Sequence, residues 1–145
     1  MQSELGHIAF HMMRKLMQEH TASWQQAVPG LTKPQYAVMF AVAEKPGIEQ
    51  SELMGPSVST KATLAEILAR LEKRELICRK QGESDKRRRF VYLTEEGMVV
   101  FKQAKASATQ VDEHFLSRMS TEDQQEFIRL MKYMTEQSSP LESNR

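Results

Sequence analysis

The chain has 145 residues, of which 40% are hydrophobic and 27% charged, with a net charge of +1, ordinary values for one soluble globular domain. No apolar run approaches the roughly 18 residues of a membrane span and the first residues lack the charged-then-apolar layout of a signal peptide, so a cytoplasmic protein with no membrane partner is expected. A single cysteine, Cys78, excludes an internal disulfide and a cysteine zinc cluster, leaving an intermolecular bridge or a reactive thiol open.

From Ser3 to about Gln26, Leu5, Ile8, Met12, Leu16 and Met17 recur at helical spacing, with Ala9, Met13 and Trp24 extending the stripe. Val28-Pro29-Gly30 ends that helix. Thr32-Lys33-Pro34-Gln35 has the spacing of a capping box, in which Thr32 accepts from a backbone N–H and Gln35 reaches back, and a second helix follows through about Glu44. Lys45-Pro46-Gly47 breaks it, Ile48 is placed to form a brief strand, and Glu49 to Met54 reads as a short third helix. Gly55-Pro56 is expected to stop that helix early.

The next helix, from Ser57 or Ser59 to Arg74, carries Leu64, Ile67, Leu68 and Leu71 on one face. Stepping about 100° per residue puts Ser59, Ala62, Glu66, Ala69 and Lys73 opposite, flanked by Lys61, Thr63 and Arg70. Small residues on that face suit close approach to a major groove, where hydroxyls bond base edges or phosphates and an alanine methyl touches thymine. The same face also fits plain solvent exposure.

Leu76 to Lys80 and Arg89 to Leu93 are apolar, β-branched or aromatic, and the polar segment Gln81 to Lys86 joins them, the pattern of a projecting hairpin. From Arg70 to Arg89 there are nine basic and four acidic residues, so this segment carries +5 while the rest of the chain is net acidic. Arg87, Arg88 and Arg89 stand at the hairpin's exposed end, where guanidinium groups can reach phosphates or a narrow minor groove. Helix and hairpin together read as a winged helix-turn-helix.

Thr94-Glu95-Glu96 starts a further helix with the stripe Met98, Phe101, Ala104, Ala108, Val111 and Phe115. Ser120 to Asp123 resembles another cap, and Phe127, Leu130, Met131 and Met134 mark a last helix. The expected organisation is one mainly α domain over 1–137 with a small β-hairpin. Its winged helix spans about 32–94, flanked by dimerisation helices at about 3–27 and 94–136, and 138–145 is a polar tail. The apolar stripes exceed what the central module can cover, so pairing with a second copy is expected.

The order of elements and the Asp85-x-Arg87 wing leading into Leu93-Thr94-x-x-Gly97 resemble the MarR family of transcriptional regulators over nearly the whole chain. The blocks Leu31 to Met39, Lys45 to Gln50, Val58 to Glu66 and Asp85 to Val91 extend that similarity. The resemblance implies a homodimeric repressor on a pseudo-palindromic double-stranded operator, released by a small aromatic acid such as 4-hydroxybenzoate, with no cofactor. The candidate DNA-contacting residues are Ser59, Thr60, Lys61, Ala62, Thr63, Glu66, Arg70, Asp85, Lys86, Arg87, Arg88 and Arg89. The resemblance further implies a ligand cleft between the first, second and fifth helices, with His7, His11 and Arg14 pairing with a carboxylate and Trp24, Tyr36, Met39 and Phe40 sandwiching a ring.

Two features depart from the family pattern. Glu75 stands where many members carry glycine after the recognition helix, so that junction is expected to be built differently. Gly55-Pro56 interrupts the preceding helix and bears on the angle between the two.

Phosphate-loop, dinucleotide, nucleophile-elbow and zinc-helix motifs are absent, so no enzyme and no metal site are expected. His7 and His11, at helical i, i+4 spacing, have no supporting acid or cysteine cluster nearby. Two other classes stay open: a winged-helix adaptor binding an acidic protein through the hairpin, and a metal- or thiol-responsive sensor.

Overall fold

The computed structural model describes residues 3–136; the tail expected over 138–145 lies outside them. The first turn is a 3-10 turn, Glu4–His7, capped by the Ser3 hydroxyl, which accepts from the Leu5 N–H at 3.2 Å. Extended Ile8, with φ −84° and ψ 120°, separates it from helix α1, Ala9–Ala27. The continuous helix expected from Ser3 is therefore interrupted, in a stretch where Gly6 gives the helix little support. His7 and His11 do not share a helix, so their i, i+4 face does not form.

Helix α2, Lys33–Glu44, begins as expected: Thr32 Oγ1 accepts from the Gln35 N–H at 3.2 Å, and Gln35 Oε1 accepts from the Thr32 N–H at 3.0 Å. Its Val38, Met39 and Val42 are essentially sealed from solvent. Strand β1, Ile48–Glu49, pairs antiparallel with β3, Arg89–Leu93, which in turn pairs with β2, Ile77–Gln81. The expected hairpin is thus the larger part of a three-stranded sheet in the order β1-β3-β2, with Ile48 and Arg79 both opposite Val91.

Between β1 and the recognition helix the chain forms a 3-10 turn, Gln50–Leu53, that continues into α3, Met54–Ser57. Gly55-Pro56 does not stop the helix early. Pro56 lies in the first turn of α3, where a missing N–H costs no intrahelical bond. Ser57 belongs to this helix, buried, with its hydroxyl donating to the Leu53 carbonyl at 2.7 Å. Val58, at φ +52°, turns the chain toward α4, Lys61–Lys73. Leu64, Ile67, Leu68 and Leu71 are buried as the spacing predicts, each worth roughly 1.5–3 kcal/mol of transfer free energy.

The end of α4 is left-handed after all. Glu75 takes φ +62° without the help of glycine, and the Leu76 N–H reaches back to the Leu71 carbonyl at 3.0 Å, a Schellman arrangement. Thr94 holds this junction from the other side. Its hydroxyl donates to the Glu75 carbonyl at 2.6 Å and accepts from the Gly97 N–H at 2.9 Å, which caps α5, Glu95–Leu116. A Cβ on Gly97 would lie 1.9 Å from the Leu76 carbonyl oxygen, so only glycine fits the first turn of α5.

The chain divides within α5 into two compact units, one through Val111 and one from Asp112. The second holds the end of α5 and helix α6, Thr121–Glu136, whose Asp123 N–H is capped by the Ser120 hydroxyl at 3.1 Å.

Gly97→Ala should therefore cost about 3 kcal/mol or more, read as a lowered urea midpoint, because backbone must shift to admit one methyl. Glu75→Gly and Val58→Gly should each raise that midpoint, by about 0.5–1 kcal/mol, by relieving left-handed strain. Unchanged midpoints in all three would contradict this account of the junctions.

Candidate nucleic-acid interface

The face of α4 opposite its buried stripe is open to solvent: Lys61, Ala62, Thr63, Glu66 and Arg70 are all exposed. Thr60 is not on the helix but caps it, accepting from the Thr63 N–H at 3.2 Å and donating to the Thr63 hydroxyl at 3.1 Å. This leaves the Thr63 hydroxyl hydrogen available to another acceptor. Ser59, expected on the outer face of the helix, instead sits half-buried in the turn with its hydroxyl bonded to that of Ser57.

The wing does not present its three arginines alike. Arg87 is 91% exposed at the tip, oriented by Asp85, which accepts from its backbone N–H at 3.0 Å and its Nε at 3.2 Å. The Arg87 side chain, with its backbone N–H, holds the Asp85 carboxyl below the usual range. Arg88 turns back to the sheet in a two-pronged pair with Glu49, both contacts at 3.0 Å, and lies over the Phe90 ring. Arg89 folds onto the carbonyls of Lys86 and Arg88. Lys86 is exposed. A cleft of about 400 Å³ runs between wing and α4, with Lys61, Arg87, Arg88 and Arg89 among its walls.

Arg79 on β2 is a further brace that the hairpin pattern does not reveal. It grips Glu72 of α4 at 3.0 and 3.2 Å and Gln50 at 3.2 Å, fixing the recognition helix against the sheet.

The residues offered for a ligand divide into two groups. Trp24, Tyr36 and Phe40 do come together, joined by Phe101 of α5: Tyr36 stacks on Phe101 at 5.8 Å between centroids, and Phe40 meets it edge-on at 5.5 Å. Met39 is completely buried and Trp24 nearly so, its indole N–H donating to the Leu31 carbonyl at 2.9 Å, so both belong to the packed interior. Tyr36 and Phe40 are half-buried. Lys105, one turn along α5 from Phe101, places its Nζ 5.2 Å from the Phe40 centroid. The i, i+4 spacing of Phe101 and Lys105 is the signal that could have added both. Arg14 is exposed on α1, His11 half-buried there, and His7 is exposed in the preceding turn. Among the described residues no group of three or more His, Cys, Asp or Glu is placed to hold a metal, and no helix is long and apolar enough to cross a membrane.

A helix with a polar open face, set by a short helix and followed by a basic hairpin, defines a winged-helix, DNA-binding transcriptional regulator. Residues 31–88 match the MarR family. The chain is 56% identical over 126 residues to the transcriptional regulator HosA of Escherichia coli, covering 87% of this chain and 93% of that protein, and it belongs to the MarR family. It is also similar to the HTH-type transcriptional repressor NicR of Pseudomonas putida, at 29% identity over 126 residues, 86% of this chain and 80% of that one. The crystal structure of the PcaV transcriptional regulator of Streptomyces coelicolor, in complex with its natural ligand, superposes with a TM-score of 0.87 at 27% identity, covering 96% of this chain and 99% of that one.

The Glu49–Arg88 pair gives a signed expectation. Hydrogen bonding to Arg88 holds the Glu49 carboxyl below its usual range, so the pair contributes stability above that range and loses it as pH falls through the lowered value. Wild type should melt higher than Glu49→Gln at neutral pH, and the difference should vanish in strong acid. The same variant frees a cation on the wing face, so binding to random duplex should tighten at low salt, with a dependence on salt steeper by up to about one unit of slope. Equal melting at all pH values, with an unchanged salt slope, would show that Arg88 is not held by Glu49.

Proposed function

We propose that the protein is a homodimeric repressor that holds a pseudo-palindromic operator and releases it on binding a small aromatic carboxylate of the 4-hydroxybenzoate type. The observation that carries the reading is the open face of α4, with Lys61, Thr63, Glu66 and Arg70, beside a wing whose Arg87 is 91% exposed. Lys61, Ala62, Thr63, Glu66 and Arg70 are the base- and phosphate-facing side chains in this reading, with Thr60 at the helix start. Arg87 and Lys86 meet the neighbouring backbone or minor groove, and Asp85 orients Arg87. Arg88 and Arg89 shape the wing. Ser59 acts through the turn.

Two helices support the dimer. On α1 and the turn before it, Leu5, Ile8, Phe10, Met12, Leu16 and Met17 are 40–65% exposed, and on α6 Ile128, Leu130, Met131, Tyr133 and Met134 are 40–61% exposed. Apolar faces of this extent are unfavourable in water, and a second copy covers them. Two-fold symmetry then sets two recognition helices about 34–36 Å apart, one turn of B-DNA. The name of NicR, a repressor, supports the sense of regulation.

The effector reading rests on the half-buried rings of Tyr36 and Phe40 over Phe101, with Lys105 as the cation on that side. His7, His11 and Arg14 are the N-terminal candidates for the acid group. A ligand there loosens DNA only by binding the mismatched helix spacing better than the matched one. PcaV, solved with its natural ligand, supports a ligand-responsive regulator of this shape.

A footprint on the chain's own upstream region, repeated with a panel of hydroxylated aromatic acids, tests all three parts at once. A two-fold symmetric footprint erased by one acid is expected; an asymmetric or absent footprint, or one indifferent to every acid, overturns the reading. Arg87→Ala should weaken all duplexes alike and lower the salt slope by about 1, whereas Thr63→Val should change base preference. Leu16→Glu should shift sedimentation toward monomer and abolish the footprint.

A further inference from the structure

Between the short helix α3 and the recognition helix stands one residue whose conformation and surroundings do not match its type. Val58 takes φ +52° and ψ +50°, left-handed backbone, and is 91% exposed. A single exposed valine is ordinary on a protein surface. A β-branched residue at positive φ is not, because its Cβ crowds the following carbonyl at a cost in free energy that glycine avoids. Nothing inside the fold offsets that cost, since a side chain this open packs against almost nothing. Apart from α1, the turn before it and α6, the large apolar side chains exposed among the described residues are Met54, Val58 and Val99, and Val58 is the most open of them.

The backbone around it is fixed. The Val58 N–H donates to the Gly55 carbonyl at 3.0 Å and the Ser59 N–H to the Met54 carbonyl at 3.3 Å. The buried Ser57 hydroxyl bonds the Leu53 carbonyl and the Ser59 hydroxyl. Both neighbours are therefore tied down while the isopropyl group between them stands in water. Two residues on, Thr60 caps α4, and Thr60, Lys61, Ala62 and Thr63 are all exposed. In helix-turn-helix docking the first residues of the recognition helix meet base edges in the major groove. Here they offer hydroxyls, an ammonium group and one methyl, and Val58 adds an apolar group larger than the Ala62 methyl. The apolar feature of a base edge in that groove is the thymine 5-methyl.

We propose that Val58 is a specificity-determining residue, which seats its isopropyl group against the 5-methyl of a thymine in each operator half-site. The inference rests on the DNA-binding reading above and adds to it a contact outside both α4 and the wing. Fixed backbone and a stiff β-branched side chain hold the group in place before DNA arrives, so binding has little left to order. Each methyl taken out of water is worth about a factor of four in an equilibrium constant. Two-fold pairing makes the contact twice, at symmetric positions. Glycine would make the same turn with less strain and read nothing; the residue present is the one that destabilises the turn and can touch a base.

Selection of duplexes from a random pool by the wild-type protein, followed by replacement of each thymine in the selected site with deoxyuridine, tests this. Deoxyuridine removes only the 5-methyl. At one symmetry-related pair of positions the double replacement should weaken wild type about tenfold. Val58→Ala should bind the unaltered site about tenfold more weakly and lose almost nothing further on replacement at that pair. Val58→Gly should bind as weakly as Val58→Ala even though its urea midpoint rises, a combination that a purely structural role for Val58 would not produce. Val58→Ala that binds every duplex as wild type does overturns the inference and leaves the DNA-binding reading standing. So does a loss in Val58→Ala that is the same with thymine and deoxyuridine at every position, the mark of a sugar or backbone contact. Wild type that selects no duplex overturns both.

Discussion

The carbonyl of Leu76 runs so close to the first turn of α5 that a single methyl on Gly97 would fall inside its van der Waals shell. Around that contact four elements meet. The recognition helix ends at a left-handed Glu75, β2 starts at Ile77, β3 closes on Thr94, and α5 departs from the same threonine. Thr94 satisfies the Glu75 carbonyl just past the end of α4 and one orphan N–H at the start of α5, and its backbone N–H bonds the Leu76 carbonyl at 3.1 Å. The orientation of the reading helix, the root of the wing and the path of the long helix thus have a common origin. None can be shifted without disturbing the others.

Charge is arranged to the same end. The +5 segment suggests a uniformly basic surface, yet several of its cations point inward: Arg79 grips Glu72 and Gln50, Arg88 grips Glu49, and Arg74 grips the Gly30 carbonyl. Exposed pairs of this kind add little stability. What the Arg79 and Arg88 pairs fix is direction, since a planar guanidinium held at two points cannot rotate away. Arg87, by contrast, is presented outward by Asp85 only two residues before it, which makes the wing tip a preorganised donor on a short tether.

Features that rest on local periodicity or local hydrogen bonding are legible in the residues. The Thr32–Gln35 capping box, the buried stripe of Leu64, Ile67, Leu68 and Leu71, and the two hairpin strands all follow from spacing within one element. Features that rest on residues brought from afar are not. The Glu49–Arg88 pair joins positions 39 apart, and it exists because β1 adds to the edge of β3. Left-handed backbone at Val58 and Glu75 is hidden for a different reason: residue type argues against it, and tertiary packing overrides the preference. Gly55-Pro56 misleads in the opposite sense. A pair that normally ends helices sits where the chain passes from 3-10 to α geometry and a proline nitrogen has nothing to lose. In the aromatic cluster, helical spacing identifies Tyr36 and Phe40, but the ring they stack on, Phe101, lies in a helix more than fifty positions later.

The recognition helix is therefore a rigid rod clamped at both ends by contacts outside itself. At its start, Val58 and the Ser57–Ser59 hydroxyl pair set the turn; at its finish, Glu75, Thr94 and the Arg74–Gly30 bond set the exit. Thirteen residues make a rod about 20 Å long, so a tilt of only about 5° at one clamp displaces the far end by nearly 2 Å. That exceeds the tolerance of a hydrogen bond to a base edge, which weakens steeply within a few tenths of an ångström. Control of DNA affinity in this architecture does not require a large domain motion.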